Sequence, residues 1–268
     1  SLEGVKTGEI SGDIPLRAPP LVDCDLIVLA DSRGNVCAYE RKSRKPVWKT
    51  ALGNPVFAGP VFTVEGEILI PAKDHALFRL NRRGGIRWKF RTRGVNYSSP
   101  AVDSNGDILL TTMGRSLYRI SPRGREIWRF DTSRWIASSP VIDWRGNTYF
   151  GCYDRHFYCV DNRGKLKWKV LCQGAVNASP VLDKAGVVYT GDSSGRFFAF
   201  HSENGSLAWQ YKTADFLRSP LMLHPDRKLL AGGGLDSYLY VFRIGGSLDM
   251  RSAWPRYLGL RKTCATTH

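Results

Sequence analysis

The chain has 268 residues, 43% hydrophobic and 24% charged, which suffices for a buried core and excludes global disorder. Lys and Arg number 39 against 24 Asp and Glu, a net charge of +15; such an excess serves solubility or attracts acidic partners. No apolar run approaches the ~20 residues of a membrane helix.

The first residues, SLEGVKTGEISG, lack the basic-then-apolar layout of a signal peptide. That slightly favours the cytoplasm, with a periplasmic or secreted address following if a signal peptide had been removed. Then a repeat begins. Prolines stand at Pro20, Pro60, Pro100, Pro140, Pro180 and Pro220, and tryptophans at Trp48, Trp88, Trp128, Trp168, Trp209 and Trp254. Both series have a period near forty and count six units, placed at about 14–53, 54–93, 94–132, 133–173, 174–213 and 214–258. Unit three reads NYSSPAVD, DILLTTM, SLYRIS and EIWRFDT; unit four reads IASSPVID, NTYFGC, FYCVD and LKWKV. Four short β-rich runs per unit predict an all-β chain, a single six-bladed β-propeller of four-stranded antiparallel blades.

Within each unit the phrases have physical roles. The Ser-Pro pair belongs on the innermost strand, where small residues let neighbouring strands approach the channel and proline, lacking an N–H, suits a sheet edge. Asp-x-x-Gly (Asp103 to Gly106, Asp143 to Gly146, Asp183 to Gly186) is turn chemistry rather than a calcium loop. Gly84, Gly124, Gly164 and Gly205 precede each tryptophan in a hairpin that calls for positive φ. Each tryptophan then packs from the outer strand against the next blade. Unit six ends in Trp254-Pro255, so its outer strand is weakened. The termini are expected side by side at this closure seam, with residues 4–8 pairing along the blade-six edge. Six cysteines without a CxxC argue against a disulfide scaffold or zinc ribbon. Cys152 and Cys159 flank the hairpin YDRHF diagonally, which does not favour a bridge.

SLYRISPRGREIWRF and its copies resemble the tryptophan-docking repeat of the quinoprotein-like propellers. That superfamily includes PQQ-dependent dehydrogenases and the outer-membrane assembly lipoprotein; the likeness covers roughly residues 14–258. WD40 is disfavoured because no Trp-Asp dipeptide occurs, and a kelch-like Gly-Gly appears only around Gly232–Gly234. The resemblance implies for the catalytic members eight blades, an adjacent-cysteine disulfide and a calcium-binding carboxylate set. This chain has no Cys-Cys pair and no acidic cluster, so the assembly lipoprotein is the closer likeness and no cofactor or metal is expected.

Candidate site residues fall on two faces. Loops from fourth to first strands bring Arg17, Phe57, Tyr97, Trp135, Asn177 and Arg218 to the channel mouth, with Arg115 from a second-to-third turn; this set suits a small polar or anionic ligand. Asp154 and His156, with His75, could form an acid–base group, but no nucleophile motif accompanies them. The opposite face and outer rim carry Arg82, Arg83, Arg87, Arg123, Arg125, Lys165 and Lys167, a basic band over units one to four that stops at unit five. The preferred reading is a non-catalytic scaffold whose basic rim receives an acidic protein surface or other polyanion. A ligand sensor or enzyme at the mouth is the alternative, and nucleic-acid binding the third.

Overall fold

The computed structural model describes residues 9–10, 15–224, 228–249 and 254. Among these residues it is a six-bladed β-propeller with five antiparallel sheets of four strands and one of three. Blade three shows the pattern: Ala101–Val102 innermost, then Ile108–Thr112, Ser116–Ile120 and Glu126–Asp131 outermost. The two middle strands are wholly buried because neighbouring blades cover both their faces. That is why ILLTT and SLYRI carry few charges, whereas EIWRFD mixes exposed and half-buried residues.

The repeat phrases lie close to the places their chemistry requires, with Ser99-Pro100 and its copies just ahead of the innermost strand rather than on it. Ser99 N–H donates to Ser139 Oγ of the next blade at 2.9 Å, and Ser139 N–H to Ser179 Oγ at 2.9 Å. The small residues near the channel are therefore also blade-to-blade links. In each Asp-x-x-Gly turn the carboxylate accepts backbone amides, as Asp103 Oδ1 does from Asn105 and Asp107. Trp48, Trp88, Trp128 and Trp168 sit on outer strands and donate their indole N–H to a carbonyl of the next blade's turn at 2.7–3.0 Å. Gly124 and Gly164 lie beneath two of these rings. They have φ of 77° and 80°, and a Cβ on either would stand 2.7 or 2.8 Å from the indole above.

Trp254 departs from expectation. It lies on no outer strand: it is buried with Ile108 and Ile142 in the core of the middle blades. After the last strand of blade six (Leu239–Arg243) the chain turns inward and meets the open inner edges of blades five and four. Lys184 N–H donates to Ser247 O at 2.8 Å, Asp249 N–H to Leu182 O at 3.2 Å, and Ile142 N–H to Trp254 O at 2.8 Å. Two-residue inner strands leave amides free on the channel side, and this strap takes them up while burying Leu248 and Trp254. The sixth sheet consequently has three strands, Met222–Leu223, Leu229–Gly233 and Leu239–Arg243, among the described residues.

The hydrophobic clusters run from blade one through to blade six, but among the described residues none joins six back to one. At this seam Leu239 and Val241 are 71% and 56% exposed. The pairing expected for residues 4–8, and the role given to Pro255, lie outside the described residues. Cys37, Cys152, Cys159 and Cys172 are free thiols, so Cys152 and Cys159 are not bridged, while Cys24 is disulfide-bonded.

Candidate functional site

The loops from fourth to first strands and the turns from second to third strands share one face, here called upper. They are tied together by backbone bonds such as Tyr153 N–H to Trp135 O at 2.9 Å and Lys73 N–H to Pro55 O at 2.8 Å. The mouth residues form two groups there. Phe57 and Tyr97 stack at 5.9 Å with 10° between their planes, with the Arg17 guanidinium 5.7 Å and the Lys73 ammonium 5.4 Å from the Phe57 ring. Farther round, Arg115 and Trp135 line a cavity of about 490 Å3 together with Ser133, Arg134 and Tyr153. Asn177, half-buried with its Oδ1 unbonded, and the exposed Arg218 join neither group.

Asp154 and His156 are neighbours, with Nδ1 3.4 Å from Oδ1. The carboxylate has structural duties. It accepts from His156 N–H at 3.0 Å, Tyr158 Oη at 2.6 Å and Ser133 Oγ at 2.7 Å. Burial opposes its ionisation, but the Tyr158 and Ser133 hydroxyls outweigh burial and hold it below the usual carboxylate range. A carboxylate so engaged is a poor proton acceptor. His75 occupies the equivalent turn of blade two, exposed at φ 63°, and no hydrogen bond or ion pair joins it to this pair among the described residues.

On the lower face the sequence band divides by pairing. Arg82 bonds Asp23 at 2.7 Å and Arg87 bonds Glu67 at 3.0 Å, so both tie turns within the chain. Arg83, Arg123, Arg125, Lys165 and Lys167 are exposed and meet no carboxylate among the described residues. Lys167 also lines a lower-face cavity of about 510 Å3 between blades four and five, with Trp144, Arg145, Lys184 and Glu203. Trp144 is 55% exposed, and the Arg145 guanidinium lies 4.8 Å from its ring. Sequence reasoning passed over Trp144 and Arg145. The signal was available: Trp144, like Trp135, falls off the tryptophan period, inside a turn where Ser104 and Lys184 stand at the equivalent positions.

The family model described as outer membrane protein assembly factor BamB matches residues 5–101 and 73–220. The chain belongs to that family. A comparison with curated proteins gives no match. Among solved structures, BamB from Moraxella catarrhalis is similar over 93% of this chain and 74% of that one, at 18% identity and TM-score 0.72. The computationally designed Ika8 protein is similar over 85% of this chain and 71% of its own, at 12% identity and TM-score 0.75. At such identities both likenesses speak for the fold. The family match bears out the assembly-factor resemblance over the quinone dehydrogenases, and with it a propeller of the interaction-scaffold type. It also overturns the cytoplasmic preference, because the family model that matches is that of an outer membrane protein assembly factor.

Proposed function

We propose that this BamB-family propeller is a non-catalytic docking module of the cell envelope that holds an acidic protein partner on its lower face and basic rim. One observation carries the reading: five exposed cations on blades two to four meet no carboxylate among the described residues, and one of them, Lys167, shares a cavity with the exposed Trp144 and with Arg145. Exposed tryptophan and arginine are the residue types that anchor protein interfaces. Unpaired charges around them steer association and set specificity. Nucleic acid would use the same cations but has no need of an exposed indole at their margin. The disulfide at Cys24 is also at home in an oxidising compartment.

The test is a fourfold reversal, Arg83→Glu, Arg123→Glu, Arg125→Glu and Lys165→Glu, applied to a partner cross-linked and identified from envelope fractions. Binding should fall steeply in the variant and, for the wild type, with rising salt. Stability should move by only a few tenths of a kcal/mol per site, about 0.5 at most. Undiminished binding would assign the charge to solubility, and equal affinity for duplex DNA would favour the nucleic-acid reading.

A further inference from the structure

The upper-face cleft between blades three and four differs from its neighbours in a way the backbone explains. The bond that frames it, Tyr153 N–H to Trp135 O, recurs at other junctions as Met113 N–H to Val95 O at 3.0 Å and Ser193 N–H to Ala175 O at 2.8 Å. The frame is therefore common, and the side chains make the difference. At the junctions on either side the loop residue before this point is Gly94 or Gly174. A Cβ on Gly94 would lie 2.1 Å from Gly114 N, and one on Gly174 2.5 Å from Ser194 N. Those junctions are shut backbone against backbone. Here the corresponding residue is Arg134, and in place of a shut junction the cavity of about 490 Å3 opens.

Its lining has a definite chemistry. Arg115 and Arg134 are exposed, and neither guanidinium meets a carboxylate among the described residues. The nearby acid, Asp154, is occupied by Ser133, Tyr158 and the His156 amide. Trp135, 52% exposed, meets Tyr153 edge-on at 6.1 Å, so a flat apolar wall stands beside two uncommitted forks of N–H donors. The volume lies within the range of small-ligand sites and admits a few side chains rather than a folded domain.

We propose that this cleft binds an extended acidic peptide segment in which a carboxylate neighbours an aromatic side chain, the carboxylate between Arg115 and Arg134 and the ring on Trp135. The ionised Asp154 nearby disfavours a doubly charged phosphate more than a singly charged carboxylate. The site lies on the face opposite the basic rim, so it goes beyond the docking function above and stands or falls separately.

The experiment is calorimetry and tryptophan fluorescence on the full chain with end-blocked hexapeptides containing Glu-Phe, Gln-Phe or Glu-Ala, and with inorganic phosphate. Glu-Phe should bind, and Gln-Phe should bind at least ~10-fold more weakly, the size of one lost charge-assisted contact. Arg134→Gly restores the glycine of the neighbouring junctions, and Arg115→Gly suits a position with φ of 64°. Each should cost ~10-fold in Glu-Phe affinity. Trp135→Ala, at an exposed ring, should abolish the preference for Glu-Phe over Glu-Ala. The fourfold rim reversal should leave peptide binding unchanged, which separates failure here from failure of the docking function. Equal binding of Glu-Phe and Gln-Phe, phosphate binding as tight as the peptide, or no peptide binding at millimolar concentration would overturn the proposal.

Discussion

Blades two and three fasten their lower turns with arginine; blades four and five use tyrosine. Arg79 bonds Glu67 at 2.6 Å and Glu65 at 3.1 Å and donates to Pro122 O of blade three at 2.6 Å. Arg119 bonds Asp103 and Asp107 and reaches Asn162 O of blade four. In blade four, Tyr149 Oη lies 2.9 Å from Asp143 Oδ2 and 3.2 Å from Ser202 O of blade five; in blade five, Tyr189 Oη donates to Asp183 Oδ2 at 2.8 Å. The carbonyls of Pro122, Asn162 and Ser202 are also the ones that accept the docked indoles of Trp88, Trp128 and Trp168. The two solutions occupy one cross-strand pair: Leu69–Arg79 and Leu109–Arg119 on one side, Tyr149–Cys159 and Tyr189–Ala199 on the other. The repeat thus specifies where a polar latch reaches from a turn acid toward the next blade, and leaves open which strand supplies it.

The two latches should fail differently. Arg119 is 7% exposed, so Arg119→Ala leaves Asp103 buried without its countercharge and should cost about 3–5 kcal/mol in equilibrium denaturation. Trp128→Ala, which empties the space above Gly164 and frees Asn162 O, should cost about 3 kcal/mol. The double variant Leu109→Tyr with Arg119→Cys rebuilds the blade-four arrangement in blade three. It should recover most of the loss, ending within about 1.5 kcal/mol of wild type. If the double variant is as unstable as Arg119→Ala, the latches are not interchangeable and blade three requires the charge itself.

On the tyrosine side, Tyr149→Phe removes a neutral donor and should cost only about 1 kcal/mol. The smallest effect concerns pH. Burial raises the Asp183 carboxyl above its ordinary 3.8 despite the Val187 amide and the Tyr189 phenol, and the charge of Asp249 on the strap adds to the rise. A raised carboxyl binds its proton more tightly in the folded state, so its contribution is greatest in acid and is lost as pH rises through the folded value. Asp249→Asn should therefore stabilise the fold at neutral pH by up to roughly 1 kcal/mol, and the gain should vanish below the ordinary carboxylate range. A gain that persists at acid pH in urea denaturation would show that Asp249 acts on packing rather than on Asp183.

Much of this architecture is written locally. The forty-residue spacing of Pro60, Pro100, Pro140 and Pro180 and the turn glycines before Trp88, Trp128 and Trp168 mark strands whose neighbours are close in the chain. Candidate-site residues were partly legible for the same reason: Arg115 and Trp135 lie on recognisable turns, and the structure brings them into one cavity. Arg134, Tyr153, Trp144 and Arg145 were missed because a loop residue's importance depends on what the adjoining blade leaves open.

Periodicity therefore established the number of units, the place of the Ser-Pro pairs beside the innermost strands and the outer-strand position of five tryptophans, four of them docked, since each follows from steric and hydrogen-bonding rules acting within about forty residues. It misjudged Trp254, which follows Trp209 by 45 residues rather than 40 or 41 and enters the channel side because the inner edges of blades four and five offer free amides that no local pattern displays. It also counted cations without their partners. Arg79 and Arg119 are buried latches, Arg82 and Arg87 are tied to Asp23 and Glu67, and Arg83, Arg123, Arg125, Lys165 and Lys167 meet no carboxylate among the described residues. Which charge faces solvent is settled by contacts between turns up to about sixty residues apart, such as Arg82 to Asp23, and these exist only once the blades have packed.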